Sequence, residues 1–131
     1  NGINNNCRFK TLNCIPIKSS NGKFYLNRNA WAGSNVRKSK KYIDVPVESW
    51  EEIEKEIELK PTAVVMDIEG GEVEFIKENE DLISNLRLII VEFHPFTLGF
   101  KKVKSCQAIL GRFGLTRVDR IGNVEVWRRK N

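Results

Sequence analysis

At 131 residues, with 40% hydrophobic and 30% charged side chains, the chain has the composition of one ordinary globular domain; it is too short for two independent cores and too apolar for a disordered segment. No apolar run approaches the roughly 18 residues that span a bilayer, and Asn1-Gly2-Ile3-Asn4-Asn5-Asn6 is not a signal peptide, so a cytoplasmic protein with no membrane contact is expected, folded as a single domain over 1–131. The net charge of +5 rests largely on Arg37-Lys38-Ser39-Lys40-Lys41, Lys101-Lys102-Val103-Lys104 and Arg128-Arg129-Lys130, and with no interleaved aromatics and no nucleic-acid motif these clusters read as solvated surface, which argues against a nucleic-acid partner.

Cys14-Ile15-Pro16-Ile17-Lys18 and Lys23-Phe24-Tyr25-Leu26 flank Ser19-Ser20-Asn21-Gly22. Asn-Gly favours the positive φ of hairpin turns, so two short paired strands are predicted there. Residues 27–42 are polar, basic and aperiodic and read as a long loop. Ser49 is placed to cap a helix with Glu51, Glu52 and Glu54 near its positive end, and Trp50, Ile53 and Ile57 form an apolar stripe; Lys60-Pro61 ends it. Ala63-Val64-Val65-Met66 is a continuous apolar run, as expected of a strand covered on both faces in a parallel sheet. A helix follows, with Val73, Phe75, Ile76, Leu82 and Ile83 as core candidates, and then a second apolar strand, Leu88-Ile89-Ile90-Val91. Cys106 to Phe113 reads as a helix closed near Gly114, and Leu115 to Ile121 and Val124 to Arg128 flank Gly122-Asn123 as a terminal hairpin. The predicted class is α/β, a mixed sheet with helices and a C-terminal antiparallel hairpin. Cys7, Cys14 and Cys106 match no zinc or redox spacing and are expected to be reduced thiols.

The densest chemical signal is Asp67-Ile68-Glu69-Gly70-Gly71-Glu72, where three acids sit between an apolar strand and a helix. In open α/β sheets that edge binds ligands, although capping acids would account for the same string. The next strand ends in Glu92-Phe93-His94, which places Glu92 and the single histidine on the same edge if the strands are parallel neighbours. Asp67-x-Glu69 also suits the metal-binding start of a nuclease. After Glu92, however, the remaining acids are Asp119 and Glu125, both in the terminal hairpin. A non-catalytic interaction module, using the basic loop, is a third reading.

Taken together, Val65-Met66-Asp67-Ile68-Glu69-Gly70-Gly71-Glu72 and Ile89-Ile90-Val91-Glu92-Phe93-His94 resemble the paired signatures of FkbM-family methyltransferases, of the forms K-I-D-x-E-G-x-E and I-I-x-E-x-H. Val47-Glu48-Ser49-Trp50-Glu51-Glu52-Ile53 is similar to the family's T-L-D-x-L segment, and the region around Asn21-Gly22 to its A-L-x-D-x-x-G segment, without the acid. The resemblance implies a Rossmann-like class I methyltransferase fold that passes a methyl group from S-adenosylmethionine to a hydroxyl of a sugar or other small molecule. It implies catalytic roles for Asp67, Glu69, Glu92 and His94 and cofactor contacts for Asp67, Gly70 and Glu72, and it assigns no metal ligand. The family's glycine-rich turn, D-x-G-A-N-x-G, cannot be found in this sequence. The expectation is therefore a partial fold that binds the cofactor weakly and is inactive alone. The edge of the 63–66 strand would be left open, to pair with a second copy or to be covered by a rearranged 1–45 segment. The missing initiator Met fits residue 1 lying within a longer reading frame, or a removed initiator or tag.

Overall fold

The computed structural model describes residues 9–26, 33–34 and 37–130. Its first strands, β1 (Lys23–Tyr25) and β2 (Tyr42–Asp44), pair antiparallel with Phe24 opposite Ile43. This corrects the predicted hairpin between Cys14–Lys18 and β1. The turn itself forms, with Gly22 at φ 70° and Asn21 Oδ1 accepting from the Lys23 N–H. Its arms diverge because Ile15 and Ile17 are buried in the main core and Ile15 bridges Val47 in parallel. Burial of an isoleucine contributes about 1.5–3 kcal/mol, more than a short exposed ladder offers. Much of the predicted 27–42 loop lies outside the described residues, and Tyr42 at its end belongs to β2.

Helix α1 (Trp50–Ile57) starts on the predicted cap. Ser49 Oγ accepts from the Glu52 N–H at 3.2 Å, and Glu52 Oε2 accepts from the Ser49 N–H at 2.7 Å. Strand β3 (Ala63–Met66) is followed by α2 (Glu72–Glu78), α3 (Glu80–Asn85) and β4 (Leu88–Glu92). The single predicted helix is thus two, broken at buried Asn79, whose Nδ2 donates to the carbonyls of Phe75 and Pro16 and so ties the break to the N-terminal segment. After α4 (Pro95–Leu98), α5 (Phe100–Arg112) begins at Phe100 rather than Cys106. Val103, Cys106 and Leu110 form its buried stripe, while Lys101, Lys102 and Lys104 stay exposed. Strands β5 (Leu115–Ile121) and β6 (Val124–Arg129) close the chain as the expected hairpin. Cys14 and Cys106 are free thiols, the latter buried and pushed up to about 11 by desolvation; Cys7 lies outside the described residues.

The main sheet runs β3-β4-β6-β5, with β3 and β4 parallel and the other neighbours antiparallel, so the architecture is mixed α/β. Ile89 and Val91 of β4 are fully buried in one core with Ile76 of α2, Ile83 of α3 and Leu110 of α5. The expectation that β3 is covered on both faces is corrected: Met66 is 4% exposed but Val65 is 77% exposed. Side chains alternate across a strand, and the helical core covers the Met66 face alone among the described residues.

Arg129, on β6, joins the ends of two helices. Its guanidinium donates to the carbonyls of Leu86 and Ser84 at the end of α3 and of Phe113 at the end of α5. These are acceptors that a helix leaves without partners, at its negative end. Arg129→Ala is expected to lower stability by about 2–3 kcal/mol in urea denaturation, because several charge-assisted bonds are lost at once. Arg129→Lys should recover less than half of this, since one ammonium cannot reproduce the fork.

Candidate functional site

In the parallel pair Met66 lies opposite Val91, so both strands leave the sheet at one edge, β3 into Asp67 and β4 through Glu92 into Phe93 and His94. Beyond Asp67 the chain turns sharply, with Glu69 at φ 51° and Gly70 at φ 105°. A left-handed non-glycine residue costs roughly 1–2 kcal/mol, and this one is held by the Ser34 hydroxyl donating to the Glu69 carbonyl at 2.7 Å. Gly70 is required for its positive φ and because a Cβ there would lie 2.8 Å from Thr97 Cγ2.

The turn directs Glu72 inward at the start of α2. Glu72 is 0% exposed, and its Oε1 accepts from the Gly70 N–H at 3.0 Å and from His94 Nδ1–H at 2.8 Å. An ionised carboxylate can only accept, so Nδ1 carries a proton and a neutral ring presents Nε2 as a lone pair. Nε2 lies 3.7 Å from Asp67 Oδ1 and 3.6 Å from Glu69 Oε2, beyond hydrogen-bond distance. Burial pulls the imidazole pKa down, but the Glu72 hydrogen bond and the charges of Glu72, Glu69 and Asp67 outweigh it, so the net shift is upward.

The structure therefore gathers Asp67, Glu69, Glu72 and His94. Glu92 ends β4 on the face opposite Val91, at the same end of the sheet, and among the described residues no ion pair or side-chain hydrogen bond joins it to His94. Asp119 and Glu125 are occupied within the hairpin. Asp119 accepts from the Arg120 N–H, and Glu125, 2% exposed, is held by Arg117, Gln107 and Trp127.

A cavity of about 460 Å³ opens beside Asp67 and Glu69, walled by Pro16, Phe24, Ile43 and Val45, within the size range of small-molecule sites. A smaller hollow near α1 and α3, about 250 Å³ and lined by Trp50 and Leu82, holds no histidine and neither strand-end acid. Sequence reasoning did not reach Ser34, Thr97 or the apolar wall. Ser34 sits in a stretch that reads as loop, and it meets Glu69 only through tertiary folding; no local signal marks it.

A mixed α/β fold that brings acids and a histidine to the ends of two parallel strands falls in the class of ligand-binding α/β folds. Within it, residues 2–121 match the family model of the methyltransferase FkbM domain, and the chain belongs to that family of methyltransferases. No curated protein and no solved structure matches it significantly.

Membership suggests S-adenosylmethionine as methyl donor in general. Among the described residues, the glycine turn that directly follows a parallel strand is Gly70-Gly71. There the Gly70 N–H is taken by Glu72, the Gly71 N–H donates to the Ile68 carbonyl, and Thr97 fills the space over Gly70. At this turn no cradle of backbone N–H groups opens toward a ligand, so Gly70 and Gly71 do not fit the amino-acid end of the cofactor. Among the described residues, no helix is long and apolar enough to cross a membrane.

His94→Ala would strand Glu72 as a buried charge with the Gly70 amide as its remaining partner. A loss of about 3 kcal/mol is expected in urea denaturation, the cost of removing one member of a buried pair. Adding Glu72→Gln to that variant should recover part of the loss, because the stranded charge is then gone; equal stability of the single and double variants would refute the charge argument.

Proposed function

We propose that this chain, as a single domain, serves the acceptor side of S-adenosylmethionine-dependent O-methyl transfer, with a hydroxyl of a sugar or other small molecule entering the cavity beside Asp67. One observation carries the reading: in a chain of the FkbM family, Asp67, Glu69 and His94 converge at the ligand-binding edge of two parallel strands. Asp67, 60% exposed, orients the acceptor hydroxyl and takes its proton as the oxygen becomes a nucleophile. Glu69 adds negative charge beside it, and Glu92 belongs to the rim of the same edge. Gly70 shapes the turn, and Glu72 acts through His94 rather than on a ligand. A Rossmann-like arrangement is part of the proposal, supported by the β3-α2-α3-β4 unit beside the β5-β6 hairpin.

The chain by itself is further proposed to bind the cofactor weakly and to be inactive alone, on the ground that Gly70-Gly71 forms no open cradle. Calorimetric titration of the folded chain with S-adenosylhomocysteine should show no saturable binding at micromolar concentration. Tight binding that Asp67→Ala weakens would demonstrate a working cofactor site and overturn this part. The acceptor role is read separately by NMR: a monosaccharide should shift resonances of Phe24 and Ile43 in wild type but not in Asp67→Ala, and an absence of shifts in wild type would sink it.

The second edge of β3 pairs with no strand among the described residues. Its backbone is proposed to pair with a second copy of the chain. Light scattering after size exclusion should then give a dimer mass, and a monomer at high concentration would reject the pairing.

A further inference from the structure

Asp67 Oδ1, Glu69 Oε2 and His94 Nε2 lie within 4.8 Å of one another. All three are acceptors when the imidazole is neutral, and no donor stands between them in the described structure: the His94 contacts to the two carboxylates are 3.6 and 3.7 Å, too long for a shared proton to satisfy both. Two carboxylates converging on an imidazole attract positive charge, which a proton on Nε2 or a bound cation supplies. Behind the histidine, bonded to its Nδ1, is Glu72. It is fully buried, and among the described residues its Oε2 has no hydrogen-bond partner. Among the described residues no Lys or Arg forms an ion pair with Asp67, Glu69 or Glu72, so three carboxylates are set against one imidazole. A buried, under-compensated carboxylate demands positive charge close by.

We propose that Asp67, Glu69 and His94 bind one divalent cation of the Mn²⁺ or Zn²⁺ type, with Glu72 as the positioning residue that fixes the imidazole. Metal-ligating histidines characteristically donate their other N–H to a carboxylate, which sets the tautomer and raises ligand basicity; Glu72 on Nδ1 provides this. Bonds of about 2.0–2.2 Å to nitrogen and carboxylate oxygen suit the observed spacing after small rotations of the two carboxylates, which are 60% and 38% exposed and free to adjust. One nitrogen and two oxygens favour a borderline ion over a purely oxygen-loving one such as Ca²⁺. Three protein ligands leave coordination positions open, and because Asp67 and Glu69 also line the 460 Å³ cavity, those positions adjoin it. A hydroxyl bound there would be acidified by the ion, its proton passing to the Asp67 oxygen that does not bind the metal and from there to solvent.

The test uses the intact chain with Mn²⁺ alone, followed by electron paramagnetic resonance of the free ion, and with Zn²⁺ as competitor. One saturable site per chain is expected, abolished in the Asp67→Asn/Glu69→Gln double variant while circular dichroism and melting temperature stay as in wild type. Both side chains are solvent-facing, so that variant should fold. Glu72→Gln, which keeps an acceptor oxygen but not the charge, should weaken binding about 10–100-fold. Failure of both ions to bind a folded wild-type chain, or wild-type affinity in the double variant, overturns the proposal. Because neither methyl donor nor acceptor is present, the outcome is separate from the fate of the methyl-transfer reading.

Discussion

The hydrogen bond between Glu72 and His94 is the constraint on which the site depends. A carboxylate with no exposure, placed at the first turn of α2, is costly to desolvate, and it is compensated by the Gly70 amide and one imidazole nitrogen. That single oxygen fastens the turn after β3 to the segment after β4, since its two donors come from either side. The direction of His94 Nε2 and the path of the backbone carrying Asp67 and Glu69 both follow from it. Ser34 on the Glu69 carbonyl and Thr97 against Gly70 brace the same turn from other parts of the chain.

The fold contains a second buried glutamate, and the contrast separates two uses of the same residue type. Glu125 is 2% exposed and is met by the guanidinium of Arg117, the amide of Gln107 and the indole of Trp127, so its charge and both its oxygens are provided for. It locks α5 to the hairpin and has nothing left to offer a ligand. Glu72 has an imidazole and an amide on one oxygen and, among the described residues, no hydrogen-bond partner on the other. Full local compensation marks a structural carboxylate, whereas a remaining deficit of positive charge is what a site for a cation or a proton requires.

Much of this was legible in the sequence because the signals were local. The Ser49 cap, the apolar runs before Asp67 and at 88–91, and the Gly122 hairpin each act over a few residues and formed where expected. Tertiary burial overrode local pattern elsewhere. Ile15 and Ile17 left their predicted hairpin for the core, Asn79 broke a helix to reach the Pro16 carbonyl, and α5 extended back to Phe100 because the Val103-Cys106-Leu110 stripe outweighs a lysine cluster that reads as surface. Asp67, Glu69 and His94 were visible as a motif. That Glu72 turns inward to serve the histidine depends on a left-handed Glu69, which the motif spacing alone does not disclose.

The two sides of the site differ in rigidity, and this bears on what it can accommodate. His94 is set on the core side, 17% exposed and fixed by a buried partner, whereas Asp67 and Glu69 extend toward solvent and keep rotamer freedom. A fixed nitrogen opposite two adjustable carboxylates defines one bond direction firmly and leaves the others to the ligand. Such a site selects first by charge, through three carboxylates unmatched by any lysine or arginine ion pair among the described residues, and then by the geometry that the ligand brings. The apolar wall of Phe24, Ile43 and Val45 supplies the complementary part, excluding water on one side while the carboxylates face the other. Specificity for an acceptor would then reside in that wall, which β1 and β2 build outside the main sheet, and the wall can change without disturbing the Glu72 to His94 tie.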